Sequence, residues 1–408
     1  MPSKQTGASW PAHVPEVRPW RQSQRGGTYK DRTLTEVVTM RPPLIADLDV
    51  QLTPVISVAT EAGVREIAAL DHSHGAELKA LETLLLRTES VASSKIERIE
   101  ASVDDFARAL HGSRSNASAT AMVAAADALV AMINSVEVGA DIEVEHLLAA
   151  HQALMADDQY ERSYAGRLRD MQNWIGGSDY SPRVAWFVPP AADTVAGYLE
   201  DLLAFANRTD LPVIAQAAIV HAQFESIHPF TDGNGRIGRA LMNAVLRRRG
   251  ATRQVVVPLA SALVARREEY FGLLTEYRAG RIEPLILAFA TAATIAARES
   301  QVSARKIVEM PELWQMVVGA RRASAVVRLL DGLIATPVFS AEDAVRNVGG
   351  AASSVYSAID RLHEAGVIRP LTRRVRNQVW GASDVLDEVE ILGARIAAAF
   401  VRHSGSGR

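Results

Sequence analysis

The chain has 408 residues, of which 48% are hydrophobic and 22% are charged, so it can bury more than one sizeable core and is not a disordered polymer. Its 44 basic and 47 acidic residues leave a net charge of −3, which argues against a strongly basic nucleic-acid coat. Because there is no cysteine, disulfides, thiolate metal sites and cysteine nucleophiles are excluded, and we expect a reducing, cytoplasmic compartment.

The N-terminal segment, residues 1–45, combines prolines with glycine, serine and arginine and shows no helical period. This composition predicts an extended, partly disordered arm. The arm lacks the apolar run of a secretory signal, and the most apolar stretch, Pro284 to Ala297, is too short to span a bilayer. We therefore expect neither export nor a membrane segment.

The middle of the chain is rich in alanine and leucine at 3.6-residue spacing, which predicts a helical body. We divide it into a helical region at 46–115 and a core domain at 116–308. One stretch of the core, residues 173–190, instead places aromatic and β-branched residues around two glycines. That pattern predicts a β-hairpin embedded in helices.

The last part of the chain, residues 309–408, has a different pattern that begins after Pro311. Its predicted order is helix, strand, helix, helix, strand, wing and strand, which is typical of a winged helix-turn-helix. Ser340 and Asp343 form a predicted capping box within it. The predicted wing carries Arg373, Arg374 and Arg376. These arginines and the helix that contains Ser353 leave DNA binding open, while protein docking is the expected role.

Residues 216–250 predict two helices joined by a glycine-rich loop. Pro229 ends the first helix just after His228, and Gly250 closes the second. The loop glycines allow a ligand to approach the backbone, and the unpaired N–H groups that begin the second helix attract anions. This segment therefore predicts a cradle for phosphate groups.

The side chains around this loop suit phosphate chemistry. Arg236 and Arg239 lie three residues apart, so both can flank one phosphate chain. Asp232 offers the hard oxygen ligand that Mg²⁺ prefers beside phosphates. His228 has an unperturbed pKa of ~6.5 and can accept a hydroxyl proton at neutral pH.

The segment HPFTDGNGRIGR, residues 228–239, resembles the signature of Fic-domain proteins without departure. The resemblance implies a mainly α fold in which a Fic helical core carries a β-hairpin flap and is followed by the winged helix. It also implies Mg²⁺-dependent transfer of AMP from ATP to a Ser, Thr or Tyr hydroxyl of a target protein.

The same resemblance assigns roles by position. His228 is expected to be the general base, Asp232 the metal ligand, and Phe230 an anchor of the loop in the core. The phosphate contacts are expected from Gly233, Asn234, Gly235, Arg236 and Arg239, with Arg239 near the γ-phosphate.

Two upstream segments extend the resemblance. The stretch GRLRDMQNWIGG followed by FVPP resembles the flap that pins the target by strand pairing, and its expected docking residues are Asn173, Trp174, Ile175 and Gly176. Ser93 to Glu97 resembles an inhibitory helix, which implies that Glu97 pairs with Arg239 and prevents productive ATP binding. Arg98 stands where the family pattern has Gly or Asn.

Other functions stay open at this point. One is removal of AMP from a target, with Glu97 positioning water; another is a DNA-binding regulator that senses nucleotide in the core. A di-iron bundle built on Glu143, His146, Glu225 and His228 would need glutamates from two more helices and leaves the glycine loop unexplained. Self-modification, pairing of two copies, nucleotide preference and the target protein are not fixed by the sequence.

Overall fold

The computed structural model describes residues 10–23, 25–72, 78–372 and 378–405, with the backbone alone for 78–80 and 404–405. The mainly helical class is as predicted. The wing arginines Arg373, Arg374 and Arg376 lie outside the described residues.

The strands are β1 Val14–Pro19, β2 Glu36–Arg41, β3 Val338–Ser340, β4 Ile368–Pro370 and β5 Val379–Ala382. The first eight helices are α1 Tyr29–Arg32, α2 Pro54–His72, α3 Leu78–Ile96, α4 Val103–Leu110, α5 Ala117–Asn134, α6 Val144–Met155, α7 Val195–Ala206 and α8 Val213–Ile227. The others are α9 Asn234–Arg248, α10 Ala260–Ala265, α11 Arg267–Arg278, α12 Glu283–Val318, α13 Ala325–Leu333, α14 Ala341–Val348, α15 Ala352–Glu364 and α16 Ser383–Gly405.

The chain divides into two compact units, each assembled from separate stretches. The first comprises residues 1–64, 128–251 and 267–291, and the second comprises 65–127, 252–266 and 292–408. The predicted division at residues 46, 116 and 309 stays a prediction.

The predicted N-terminal arm is more regular than expected. Within the first unit, β1 and β2 pair antiparallel from Val14 opposite Arg41 to Pro19 opposite Glu36. In β2 the side chains alternate, with Val37 and Thr39 buried, as a half-buried strand requires. Residues 10–23 and 25–45 are therefore more regular than a free arm, because pairing with β2 holds the proline-rich β1 in a two-stranded sheet. Partial disorder of the arm stays a prediction.

The core of the first unit surrounds α8. Every residue of α8 after Val213 is buried, and α7, α9 and α11 pack against it. The carboxylate of Asp201 in α7 accepts the backbone N–H groups of Ile45 at 2.6 Å and Ala46 at 3.1 Å, which fixes the end of the arm. The loop between α8 and α9 is thus held by the most buried helix of this unit.

In the second unit, α12 continues beyond its predicted end near Ile307. Pro311 lies inside the helix, which ends at Val318. A proline in a helix interior costs ~3 kcal/mol because it removes one hydrogen bond and crowds the preceding turn. Trp314 compensates: it is 3% exposed, and its indole N–H donates to Asp384 at 2.6 Å.

The C-terminal elements have the predicted order. The sheet order is β3-β5-β4, with both pairs antiparallel. The hydroxyl of Ser340 accepts the N–H of Asp343, and the Asp343 carboxylate accepts the N–H of Ser340 in return. The winged-helix assignment itself stays a prediction.

One described helix, α5, is long and apolar enough to cross a membrane by length and composition, and 44% of it is buried inside the protein. Core helices share this composition. Within the second unit, its residues Met122 and Ala126 pack with Val91 and Phe106 in an apolar cluster. Helix α5 therefore carries no membrane assignment.

Candidate active site

The loop between α8 and α9 begins with a strained residue. His228 caps α8 with φ 51° and ψ 62°, the left-handed conformation. Its N–H still donates to the carbonyl of Phe224 at 2.8 Å. A residue with a Cβ pays ~1–2 kcal/mol for this conformation, and such strain clusters at functional sites. The turn ends α8 and starts the loop at the predicted base.

Asn234 closes the loop on itself. Its side-chain oxygen accepts the N–H of Phe230 at 2.8 Å, and its NH₂ group donates to the Phe230 carbonyl at 2.9 Å. Gly233 precedes it with φ 76°. The Asn234 side chain therefore shapes the cradle, and the N–H groups of the first turn of α9, which have no acceptor within the helix, face the anion site.

Helix α6 supports the loop through His151, which no sequence motif marks. Its buried ring stacks on Phe230 with centroids 3.8 Å apart and planes 8° apart. Its Nδ1 accepts the N–H of Gly166 at 3.1 Å. The other nitrogen, Nε2, therefore carries the proton and donates to the carbonyl of Asp232 at 3.2 Å.

The predicted phosphate-binding arginines differ in their surroundings. Arg236 is 9% exposed, and one terminal nitrogen lies 3.5 Å from the Asp232 carboxylate. Arg239 is 1% exposed and is among the largest fully buried side chains in the described part of the chain. Both residues project from the first turns of α9, as the spacing requires.

Asp232 fits a magnesium ion held mainly by phosphate oxygens. Its side chain is 59% exposed, so its carboxylate can reach a bound ion. Within the described ranges no group of three His, Asp or Glu side chains has the geometry of a metal cage. Mg²⁺ commonly uses one or two carboxylates with substrate phosphates and water, so a single carboxylate beside an anion cradle suits it.

His228 is held in its neutral form. Burial lowers the pKa of His228 to about 3, and the positive charges of Arg169 and Arg278 act in the same direction. Its Nδ1 is buried and has no hydrogen-bond partner among the described residues. The ring is therefore an unprotonated imidazole at neutral pH, which is the state that accepts a proton.

Arg169, which sequence reasoning missed, ties the loop to the flap. Its side chain is 2% exposed. It donates to the carbonyls of His228 at 2.9 Å, Met171 at 3.1 Å and Pro190 at 2.6 Å. Its own N–H donates to Pro229 at 2.9 Å. The one available signal was an arginine four residues before Asn173, which does not by itself reveal burial.

Arg278 approaches the same region from α11. Its guanidinium carbon lies 3.6 Å from the ring centroid of Phe187, a cation–π contact. It also donates to the Ser226 hydroxyl and to the Glu225 carbonyl, each at 3.3 Å. No sequence motif marked this residue, because it lies 50 positions from His228 in the chain.

The flap, residues 172–190, is less regular than the predicted β-hairpin. A single bridge joins Ile175 and Phe187. The N–H of Ile175 donates to the Phe187 carbonyl, and the N–H of Trp186 donates to the Ile175 carbonyl, each at 2.8 Å. Gly176 has φ 74° and lies under the Trp186 ring. The antiparallel pairing expected here is present at this bridge, and Gly176 limits its extent because a residue with positive φ interrupts strand pairing.

The predicted docking residues line the start of the flap. Asn173 donates from its side chain to the Phe230 carbonyl at 2.8 Å, and Trp174 donates to the Ser178 carbonyl at 2.7 Å. Asn173 thus fastens the flap to the signature loop. Docking of a target by these residues stays a prediction.

The predicted inhibitory helix is shorter than expected. α3 ends at Ile96, so Glu97 lies in the terminating turn, where it is exposed, whereas Ser93 is buried. Arg98 has φ 61°. This explains the Gly or Asn of the family pattern, since those residues adopt positive φ most readily. Pairing of Glu97 with Arg239 stays a prediction.

The remaining histidine and glutamate pairs have structural roles. His146 and Glu143 form a capping box at the start of α6, where the N–H of Glu143 donates to His146 Nδ1 at 3.1 Å. His221 is buried, and its Nε2 lies 2.8 Å from the Tyr270 hydroxyl. These contacts give His146 and His221 structural partners.

Comparison with known proteins places this loop in a family. Residues 141–246 match the Fic/DOC family. The match contains the complete loop, together with α6 below it and the flap. This segment is a Fic domain.

Several relatives share the Fic domain. The chain is 27% identical over 216 residues to a probable protein adenylyltransferase of Aquifex aeolicus, covering 52% of this chain and 62% of that protein. It is 30% identical over 150 residues to the protein adenylyltransferase fic-1 of Caenorhabditis elegans, covering 36% of this chain and 26% of that protein. The chain thus spans less than two thirds of either relative.

A solved structure supports the fold. The crystal structure of a Fic family protein from Desulfovibrio desulfuricans G20 aligns with a TM-score of 0.52 at 21% identity, covering 82% of this chain and 97% of that one. At that identity the likeness concerns the fold alone.

Proposed function

We propose that this chain is an Mg²⁺-dependent protein adenylyltransferase that transfers AMP from ATP to a hydroxyl side chain of a target protein. The observation that carries the proposal is a neutral imidazole, His228, at the mouth of an anion cradle formed by the start of α9. The two relatives are named as protein adenylyltransferases, which supports the same reaction.

The proposed reaction is an in-line displacement. The oxygen of a Ser, Thr or Tyr hydroxyl bonds to the α-phosphorus of ATP while the bond from that phosphorus to the β-phosphate oxygen breaks, and pyrophosphate leaves. His228 accepts the hydroxyl proton. Bound triphosphate offsets the positive charges of Arg169 and Arg278, which raises the pKa of His228 and strengthens it as a base.

The rest of the loop stabilises charge. N–H groups of the first turn of α9 and the side chains of Arg236 and Arg239 are proposed to hold the phosphate oxygens, with Arg239 on the γ-phosphate. Asp232 would hold Mg²⁺, which neutralises charge on the leaving pyrophosphate when bound. The loop needs little movement, because Asn234 and His151 already fix its shape.

We further propose that Glu97 restrains the reaction by pairing with Arg239, whose positive charge is then not available to bind the γ-phosphate. The resemblance of residues 93–97 to the inhibitory segment supports this, as does the positive φ of Arg98 at the position where the pattern has Gly or Asn. The turn after α3 therefore has the backbone form that the pattern requires.

The decisive experiment is intact mass spectrometry after incubation with ATP and Mg²⁺. We would compare wild type, Glu97→Gly and the double variant Glu97→Gly/His228→Ala, with Glu100→Gly as a matched exposed glutamate control. We expect an AMP adduct that increases in Glu97→Gly, disappears in the double variant and stays at the wild-type level in Glu100→Gly.

Other outcomes separate the remaining functions. An adduct that persists without His228 contradicts the assignment of the base. If ATP binds and no variant is modified, a panel of candidate target proteins replaces self-modification as the acceptor. Loss of AMP from a modified target only when Glu97 is intact would instead support AMP removal.

A further inference from the structure

The first unit contains a contact between the N-terminal arm and the tip of the flap that the proposed function does not use. The arm contributes Gly26, Gly27, Thr28 and α1, and the flap contributes residues 178–181. At its centre is Asp31, a buried residue of which 3% is exposed. A buried carboxylate needs a specific set of partners.

Asp31 has three such partners. It accepts hydrogen bonds from the Thr28 backbone N–H at 2.7 Å and the Thr28 hydroxyl at 2.6 Å. From the flap, the Ser181 hydroxyl donates to its other oxygen at 2.6 Å. The hydrogen bonds from Ser181 and then Thr28 hold the pKa of Asp31 well below its usual range, so the bonds are charge-assisted.

Aromatic contacts surround this carboxylate. A Cβ atom on residue 27 would lie 2.9 Å from Tyr180 Cβ and 2.9 Å from an Asp31 oxygen, and one on residue 26 would overlap the Tyr180 ring. Trp20 of the arm meets Trp174 of the flap edge to face, with centroids 5.5 Å apart and planes at 86°. The two glycines thus allow the arm to lie directly against the flap.

The far end of the flap is held as well. The N–H of Met40 in β2 donates to the carbonyl of Val188 at 2.8 Å. On the side of the signature loop, Asn173 and Arg169 fasten the flap. Because one bridge joins its two sides, the shape of the flap depends on these outside contacts more than on its own pairing.

We infer that Asp31 is a positioning residue for the protein substrate: through Ser181 it fixes the tip of the flap in the shape that receives the target segment. The inference rests on the proposed function for its consequence in catalysis. Asp31 itself touches neither ATP nor the reacting hydroxyl in this scheme. Its loss should therefore weaken target binding and leave ATP binding unchanged.

The test that does not depend on activity is hydrogen exchange measured by mass spectrometry on peptides covering residues 172–190. In Asp31→Asn the side-chain NH₂ group faces the Thr28 donors and cannot accept their hydrogen bonds. We therefore expect the backbone amides of the flap to exchange about tenfold faster. Ser181→Ala should give the same change. Asp47→Asn, the same substitution at an exposed position just after the arm, should match wild type.

The test in catalysis uses the Glu97→Gly background with and without Asp31→Asn. We expect self-modification to slow about tenfold while ATP affinity, measured by calorimetry, stays the same. Unchanged flap exchange in both Asp31→Asn and Ser181→Ala overturns the inference whether or not any AMP is transferred. Faster exchange with no effect on a measurable transfer rate overturns the positioning role and leaves the proposed function intact.

Discussion

The first unit should lose stability in mild acid, because it buries four neutral histidines. Burial is the largest cause of each shift: it lowers the pKa of His13, His221 and His228 to about 3 and that of His151 to about 4. In the unfolded chain each imidazole has a pKa of ~6.5. Between pH 7.5 and 5.5 the unfolded state therefore binds protons that the folded state does not.

The magnitude follows from linkage. A lowered histidine pKa gives stability that is fully present above the unfolded pKa and is lost as pH falls from about 6.5 toward the folded value. Over this window each histidine removes about 1.4 kcal/mol, so the four together remove about 5 kcal/mol from the free energy of unfolding. That loss is comparable with the whole stability of a typical domain, ~5–15 kcal/mol.

The assay is equilibrium urea unfolding at pH 7.5, 6.5 and 5.5. Four of the six tryptophans, Trp10, Trp20, Trp174 and Trp186, lie in the first unit, so tryptophan fluorescence reports mainly on that unit. The buried carboxylate of Asp31 does not affect this measurement. Because its pKa is lowered in the folded state, its contribution to the free energy of unfolding is lost only at pH values below this window.

A single-site variant isolates the effect. The His13 ring packs against Tyr277 with centroids 5.8 Å apart, a contact that Phe can keep, so His13→Phe should reduce the pH-dependent loss by about a quarter. A total loss below about 1.5 kcal/mol between pH 7.5 and 5.5, or an unchanged loss in His13→Phe, refutes the conclusion that these rings fold in the neutral form.

Three further predictions concern the loops. Arg98→Gly should raise the free energy of unfolding by about 1 kcal/mol in urea titrations, since glycine accepts φ 61° without strain; no gain would contradict that conformation. Gly233→Ala should cost about 1–3 kcal/mol and weaken ATP binding by calorimetry, because its Cβ would lie 2.6 Å from Met155 and its φ is 76°; wild-type affinity would count against the cradle. Arg169→Met should cost about 4 kcal/mol through three lost charged hydrogen bonds, and a loss under 1 kcal/mol would show that the carbonyls find other donors.

Sequence pattern predicted the proposed reaction loop because its residues lie close together in the chain. His228, Asp232, Arg236 and Arg239 lie within one loop and the first turns of one helix, so their spacing alone places them around one anion. The C-terminal capping box at Ser340 was predicted for the same reason, since a cap depends on residues three positions apart.

Regular structure in the arm and flap was harder to predict, because neighbours distant in the chain decide it. β1 is a strand because β2 pairs with it, with partners 17 to 27 positions apart in the chain. Helix α12 continues through Pro311 because Trp314 is anchored by Asp384. Local propensity opposed both outcomes, and tertiary contacts outweighed it.

The sequence by itself determined which groups can perform the chemistry, and only the tertiary structure decided what holds them ready. His151 and Arg278 lie in no motif, and the motif that contains Arg169 does not single it out. Each acts through contacts that span from 59 to 91 positions of the chain. Burial among such partners sets the protonation of His228, and burial is a property of the folded unit that no short pattern of residues encodes.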